Sequence, residues 1–327
     1  MKQTITILTL SFLITTQLLG QPTTNLAFMF SNTAYPNTLR AMEQNAKAVF
    51  DEINNASREN RTPRFSTANI TSDGITNTLA LWATSKFHCS EPAYRENVSE
   101  NSYGGYQVRN ITTFFKDVGQ SQDLVVDFDR NGKVSNISIA ISKTQYNSIM
   151  QTGSAVTDFR YRQIILDFVE NFRTAYNRQD VGYIEKMFND EALIITGTKL
   201  TIRTGDGQYA TKTKYSTQSK QQYINKLRTA IMEKDSYGNK LNKINVDFER
   251  IEIIKSANEE KIYLVRLWQK WDSKGKINYG DEGWLTLVID FQNEQEPTIW
   301  VRAWQDGKFK KEELYNFNCF YAKSTCE

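Results

Sequence analysis

The chain predicts an α+β protein in which a long helix is wrapped by a curved antiparallel sheet, forming a hollow cone, with a smaller α+β domain before it. Three observations predict this. Residues 162–197 read RQIILDFVENFRTAYNRQDVGYIEKMFNDEALIITG, an amphipathic helix, a short second helix and a strand. Successive Trp-bearing alternating runs follow and end at TIWVRAW, 298–304. The first half repeats the same order, helix first and hairpins after, in a shorter and more irregular form, which points to a weak, divergent internal duplication. The expected plan is a signal peptide over 1–20, an α+β domain over 21–150, the cone over 156–312 and a tail over 313–327.

In the first half, Leu39, Met42, Ala46, Val49, Phe50 and Ile53 recur at helical spacing, one apolar face of a helix. Strands are expected over 79–87, 106–114, 124–128 and 133–141. Asn131-Gly132 between the last two is a hairpin signal, because both residues tolerate the positive φ of a type I′ turn. Residues 143–157 carry little pattern and read as a linker. Thr157 or Asp158 caps the next helix, whose stripe is Ile165, Phe168, Val169, Phe172 and Tyr176. A polar loop is expected over 199–214. Ser219 with Gln222 forms a capping box for a helix around 223–231. Strands follow near 244–248, 262–271, 284–291 and 298–304.

Composition narrows the setting. Lys2 precedes an apolar run from Ile5 to Leu19, and small Gly20 closes it. This fits a cleaved secretory leader better than a span, which needs about 20 apolar residues. The expected location is therefore export, to the periplasm or the extracellular space. A mature chain of this size suits two cores. A net charge of +3 is too small to argue for nucleic acid. Export permits a disulfide among Cys89, Cys319 and Cys326. Cys319 with Cys326 would close a small tail loop worth roughly 2–3 kcal/mol in the chain-entropy model. The alternative staples Cys89 to one of them. The sequons at Asn55, Asn60, Asn69, Asn97, Asn110 and Asn136 mark glycan sites only in a eukaryotic secretory path.

The stretch 162–197 and the strands after it resemble the nuclear-transport-factor-2-like family, which includes SnoaL-like, ketosteroid-isomerase-like and polyketide-cyclase-like cones. WATSKFHC (82–89), GYQVRNI (105–111), RTAYN (173–177), DEALIITG (190–197) and VRAWQ (301–305) together resemble exported proteins of Bacteroidetes-type bacteria. That resemblance implies a domain plan and no particular activity. The cone also hosts dimers that meet through an open sheet face, so a homodimer is one expectation.

A fold of this kind serves enzymes and binding modules alike, so function rests on the site. An isomerase, cyclase or hydrolase would need a buried carboxylate facing a Tyr; Tyr176, Tyr183, Asp180 and Asp290 are the residues available, although Asp180 reads most simply as a helix cap. Asp281 and Glu282 read as part of a turn with Gly280 and Gly283. The other candidate is aromatic. Trp300, Arg302 and Trp304 alternate along one strand and so project from one face, with Trp268 or Trp271 beside them. Such a ladder can hold a ligand or partner by stacking and cation–π contact, or simply form a core layer. The sequence reading favours a non-catalytic envelope binding or assembly module over the enzyme. No cofactor is expected. His88 is the only His and there is no CxxC, which argues against zinc. Asp127, Asp129 and Asn131 imitate a calcium loop but lack its final bidentate Glu, with Ser138 in that place. The basic stretch over 199–228 reads as a solvated face.

Overall fold

The computed structural model describes residues 22–321, apart from 33, 35, 152–155, 157, 204 and 206. The leader over 1–20 and Cys326 lie outside the described residues, as does the side chain of Cys319, so the Cys319–Cys326 pairing falls outside them too. Cys89 is a buried free thiol, pushed up to about 12 by burial. No helix among the described residues is long and apolar enough to cross a membrane.

The first sheet contains β1 (Ala27–Ser31), β2 (Phe87–Cys89), β3 (Ala93–Glu100), β4 (Tyr106–Phe115), β5 (Gln120–Phe128) and β6 (Val134–Ile139). Its order is β1-β3-β4-β5-β6, with β2 also paired to β4. Helices α1 (Pro36–Glu59) and α2 (Ser72–Thr84) belong to this half. The stripe Met42, Ala46, Val49, Phe50 and Ile53 of α1 is buried in its core with Phe87, Phe115 and Phe128. The strand expected over 79–87 is instead mostly the end of α2. Thr71 caps that helix by accepting from Gly74 N at 3.1 Å, and Gly74, Thr78, Leu81 and Trp82 are buried at helical spacing. The apolar run was long enough for either state, and the cap upstream decides. At the β5–β6 turn only Gly132 takes a positive φ, 80°. Asp129 Oδ1 accepts from Asn131 N and Lys133 N, both at 2.9 Å, so the turn is an Asp-initiated one closed by a left-handed Gly, not type I′.

The second sheet contains β7 (Phe188–Arg203), β8 (Tyr209–Gln218), β9 (Asn242–Lys255), β10 (Ile262–Gly275), β11 (Tyr279–Asp290) and β12 (Thr298–Asp306). The order is β8-β7-β12-β11-β10-β9; β12 and β7 run parallel, the other neighbours antiparallel. The loop expected over 199–214 is thus largely a long β7–β8 hairpin, whose alternation of Lys and Thr hides the strand period in exposed, polar residues. Likewise the expected linker contains a helix, α3 (Lys143–Gln151), with Ile149 and Met150 buried.

Helix α4 (Phe159–Arg178) lies between the two sheets, capped by Asp158, which accepts from Arg160 N at 2.9 Å. Short α5 (Val181–Lys186) follows. The stripe Ile165, Phe168, Val169, Phe172 and Tyr176 packs into the second sheet's concave side. An amphipathic helix ordinarily turns its polar face to water. Here that face is buried against the first sheet, and every polar group needs a partner there. Asp167 Oδ1 accepts from Gln107 Nε2 at 3.0 Å, Arg109 Nη1 donates to Glu170 Oε2 at 2.9 Å, and Asn136 Nδ2 donates to Asn171 Oδ1 at 3.1 Å. Thr174 Oγ1 and Glu170 Oε1 accept from the backbone of Ile139 and Ile141. The seam between the halves is therefore polar and specific in register.

The convex side of the second sheet carries Leu193, Ile195, Leu264, Val288, Val301 and Ala303, and Tyr315, Phe317 and Phe320 pack over it. Gln305 Nε2 donates to Glu313 O at 3.0 Å and Gln305 Oε1 accepts from Tyr315 N at 2.7 Å, which pins the segment. The sheet face expected to receive a partner or a second copy is covered in this region by the chain's own C-terminal segment, which ends in a short helix, Asn318–Tyr321.

Candidate functional site in the cone

Alternation along the strands decides what faces the cone. On β10, Val265 and Leu267 are core, and Gln269, Trp271 and Ser273 continue the same face toward the open end. On β11, Ile289, Leu287 and Leu285 are core, and Asp281 and Tyr279 continue that face in the same direction. On β12, Arg302 and Trp304 face inward. The helix α6 (Lys220–Lys226), closed by the capping box of Ser219 and Gln222 as expected, runs into a single π-helical turn over Leu227–Ile231. Tyr223, Leu227, Ala230 and Ile231 from this segment roof the space. Single π turns recur at functional sites. The result is an open cavity of about 270 Å³ with largely apolar walls.

Trp304 forms one wall and is 2 % exposed. Two glycines make room for its ring. A Cβ on Gly197 would stand 2.2 Å from Trp304 Cζ3, and one on Gly283 2.8 Å from its Cζ2. Trp271 meets Tyr176 edge-on at 5.5 Å. Tyr176 is fully buried behind the cavity, its hydroxyl 2.6 Å from that of Tyr223, which reaches the lining.

Arg302, Asp281 and an exposed Lys226 are the charged groups lining this apolar space. Arg302 is 4 % exposed; its guanidinium stacks 5.2 Å from the Tyr223 ring. Burial is the largest influence on it and opposes the charge, but Tyr223, Tyr176 and Asp281 outweigh burial and hold it above the usual range. Asp281 is pushed up by burial, while Tyr279, which donates to its Oδ2, and Arg302 draw it back down. Asp281 Oδ1, Trp304 Nε1 and Arg302 Nε and Nη1 are buried with no hydrogen-bond partner.

The sequence-derived residues are distributed differently from the expectation. Trp300, Arg302 and Trp304 do not share a face. The β12–β7 register shifts between Ile299 and Val301, and such an irregularity reverses the side-chain alternation. Trp300 accordingly meets Phe320 of the C-terminal segment at 5.7 Å, while Arg302 and Trp304 line the cavity. Trp271 joins them there. Trp268 is on the convex side, edge-on to Trp284 at 5.2 Å and under Arg250.

Asp180 caps α5, accepting from Tyr183 N at 2.9 Å. Tyr183 and Asp290 line a separate, open cleft of about 980 Å³ between the two halves, with Asn77, Tyr103, Asp127 and Asn136. There the carboxylate of Asp127 is satisfied by Gln107 at 3.1 Å and Asn136 at 3.3 Å. That cleft is a seam whose polar groups largely bond one another, although Arg178 Nε has no partner there; the cone cavity gathers several idle donors.

Tyr223, Tyr279, Asp281 and Gln269 were not among the sequence-derived site residues. Reading 280–283 as a turn concealed Asp281 and the strand around it. Had the alternation of Leu285 and Leu287 been extended back past Gly283, Tyr279 and Asp281 would have fallen on the inward face.

No family model and no curated protein matches the chain. Solved structures give low-scoring likenesses. Naphthalene 1,2-dioxygenase with indole bound in its active site is 10% identical over 51% of this chain and 89% of that one, with a TM-score of 0.36. The beta subunit of benzoate 1,2-dioxygenase from Burkholderia mallei is 12% identical over 46% and 92%, with a TM-score of 0.30. ActVI-ORFA from Streptomyces coelicolor is 8% identical over 43% and 93%, with a TM-score of 0.29. At such scores neither ligand nor reaction transfers to this chain.

Proposed function

We propose that the protein binds a small, flat, largely apolar molecule inside the cone of its second sheet. The observation that carries this is the open cavity of about 270 Å³ walled by Trp304, Trp271, Tyr223 and Tyr279, an apolar hollow with a few convergent polar groups. The volume sits near the lower end of ligand pockets, so the ligand is small. Binding inside the cone replaces the envelope-partner role on the Trp-bearing face, because Trp300 is packed under Phe320. Export remains part of the proposal, on the strength of the leader-like run Ile5–Leu19.

The test is thermal shift and Trp fluorescence quenching of the mature chain against a panel of small aromatic compounds, with Ala230→Phe as the plugged control. Ala230 lines the cavity and is half-buried, so a larger side chain there can fill the space without entering the core. Hits that bind the wild type and are lost in Ala230→Phe support the reading. Hits unaffected by the plug, or none at all, overturn it.

One observation favours a second reading, catalysis. Asp281 lines the cavity with an unpartnered Oδ1 beside a Tyr, and its raised carboxyl suits a general base. An isomerase or cyclase of this kind would exchange a ligand's carbon-bound proton with deuterium from solvent, and Asp281→Asn would stop the exchange while binding continued.

A further inference from the structure

We propose that the ligand of the cone carries a carboxylate, held by the idle donors of Arg302. This rests on the reading of the cone as a ligand site and names the ligand's class.

Of the five other buried arginines, Arg162 donates from Nη1 to the Ile149 carbonyl at 3.0 Å, and the remaining four provide the comparison. Arg109 is paired with Glu170, Arg173 with Asp247, Arg178 with Asp180 and Arg266 with Glu252. Arg302 is as deeply buried and has no ion pair among the described residues. Its hydrogen bond from Nη2 to Gln269 Oε1 is long, 3.4 Å. A buried charge without a counter-charge or full hydrogen bonding is costly. The partners of Arg302 are the Tyr223 ring, Gln269 and the Tyr176 hydroxyl, none of which carries a negative charge.

The idle donors match a particular chemistry. A guanidinium takes the two oxygens of a carboxylate side by side on its Nε–Nη2 edge or its Nη1–Nη2 edge; each edge here has one idle nitrogen, and the shared Nη2 makes only the long bond to Gln269. The plane is already fixed by stacking on Tyr223 and by Gln269, so little freedom is lost on binding. Trp304 Nε1, also idle, offers a further donor in the same space. Asp281 is near enough to favour the charge on Arg302 but does not pair with it. In the β11–β12 register Arg302 stands opposite Leu287, and Trp304 opposite Leu285; Asp281 is farther along still, so the Trp304 position intervenes. The ligand is therefore an acid with a flat apolar body lying along Trp304 and Trp271.

The experiment is isothermal titration of the full mature chain with matched pairs, indole-3-acetate against indole-3-acetamide and cinnamate against cinnamamide. The acids are expected to bind at least tenfold more tightly than the amides. In Arg302→Gln the acids should fall to the amides' affinity while amide binding holds; Arg302→Lys should restore part of the preference. Equal affinities of acid and amide in the wild type overturn the proposal and leave the cone's role as a binding site intact. Absence of binding by every compound overturns both. Since the wild-type comparison needs no variant, a folding defect in Arg302→Gln does not shield the proposal. A preference that survives Arg302→Gln in a folded protein places the anion elsewhere and also overturns it.

Discussion

Gly197→Ala adds one methyl group and should reshape the cavity. The new Cβ would lie 2.2 Å from Trp304 Cζ3 and 2.4 Å from its Cε3, well inside any tolerated contact. Trp304 is 2 % exposed, so its ring can retreat only by disturbing its neighbours or by entering the cavity. Overpacking of this kind costs about 1–3 kcal/mol. Against it stands the gain from removing a strand Gly, about 0.5–1 kcal/mol. The clash wins, leaving a net loss of about 1–2 kcal/mol. At about 2–4 °C per kcal/mol for domains of 150–250 residues, the melting temperature should fall by a few degrees. The decisive assay is a double-mutant cycle by urea unfolding with Trp304→Leu as the second change. In the Trp304→Leu background the obstruction is gone, and Gly197→Ala should become neutral or slightly stabilising. An equal loss in both backgrounds, or no loss in the wild type, would refute the claim that Gly197 exists to accommodate that ring.

Two further outcomes are expected. Asp167 is held up at about 7, chiefly by burial, with Asp127 next and Glu170 adding, while Gln107 and Arg109 oppose. An acid whose folded pKa lies above its unfolded value binds more protons when folded, so this group's contribution to stability declines as pH rises from about 4 to about 7. Asp167→Asn should keep the bond from Gln107 and abolish that decline. Urea midpoints at pH 5, 6, 7 and 8 should show the variant gaining on the wild type up to about pH 7 and level thereafter; a constant difference would contradict the assignment. Phe320→Ala should loosen the C-terminal segment from Trp300 at a cost of about 1–3 kcal/mol, below the range for a full core truncation, since Phe320 is only half-buried. Its signature is a red-shifted Trp emission with new binding of a hydrophobic dye, and unchanged spectra would show that the segment does not shield that face.

How much of this was legible in the sequence follows from what periodicity can see. The stripes of α1 and α4, the cap at Asp158 and the capping box at Ser219 are all local, and so could be read directly, together with the α+β class and the helix-then-hairpin order. Pattern misled where an element's surroundings break the usual rule. The residues at 79–84 are apolar enough for a strand and became helical under the Thr71 cap. The β7–β8 hairpin is exposed and polar, so its period is faint. The site itself was settled by packing. A register shift in β12 turned Trp300 to the outside and Arg302 inward, and no count along the strand reveals a shift that its neighbour imposes. The partnering of buried charges is likewise a property of elements far apart in the chain. Glu170 on α4 answers Arg109 on β4, whereas no carboxylate among the described residues pairs with Arg302. Local sequence fixes which way a side chain can point on its own element; the approach of distant elements determines whether anything meets it there.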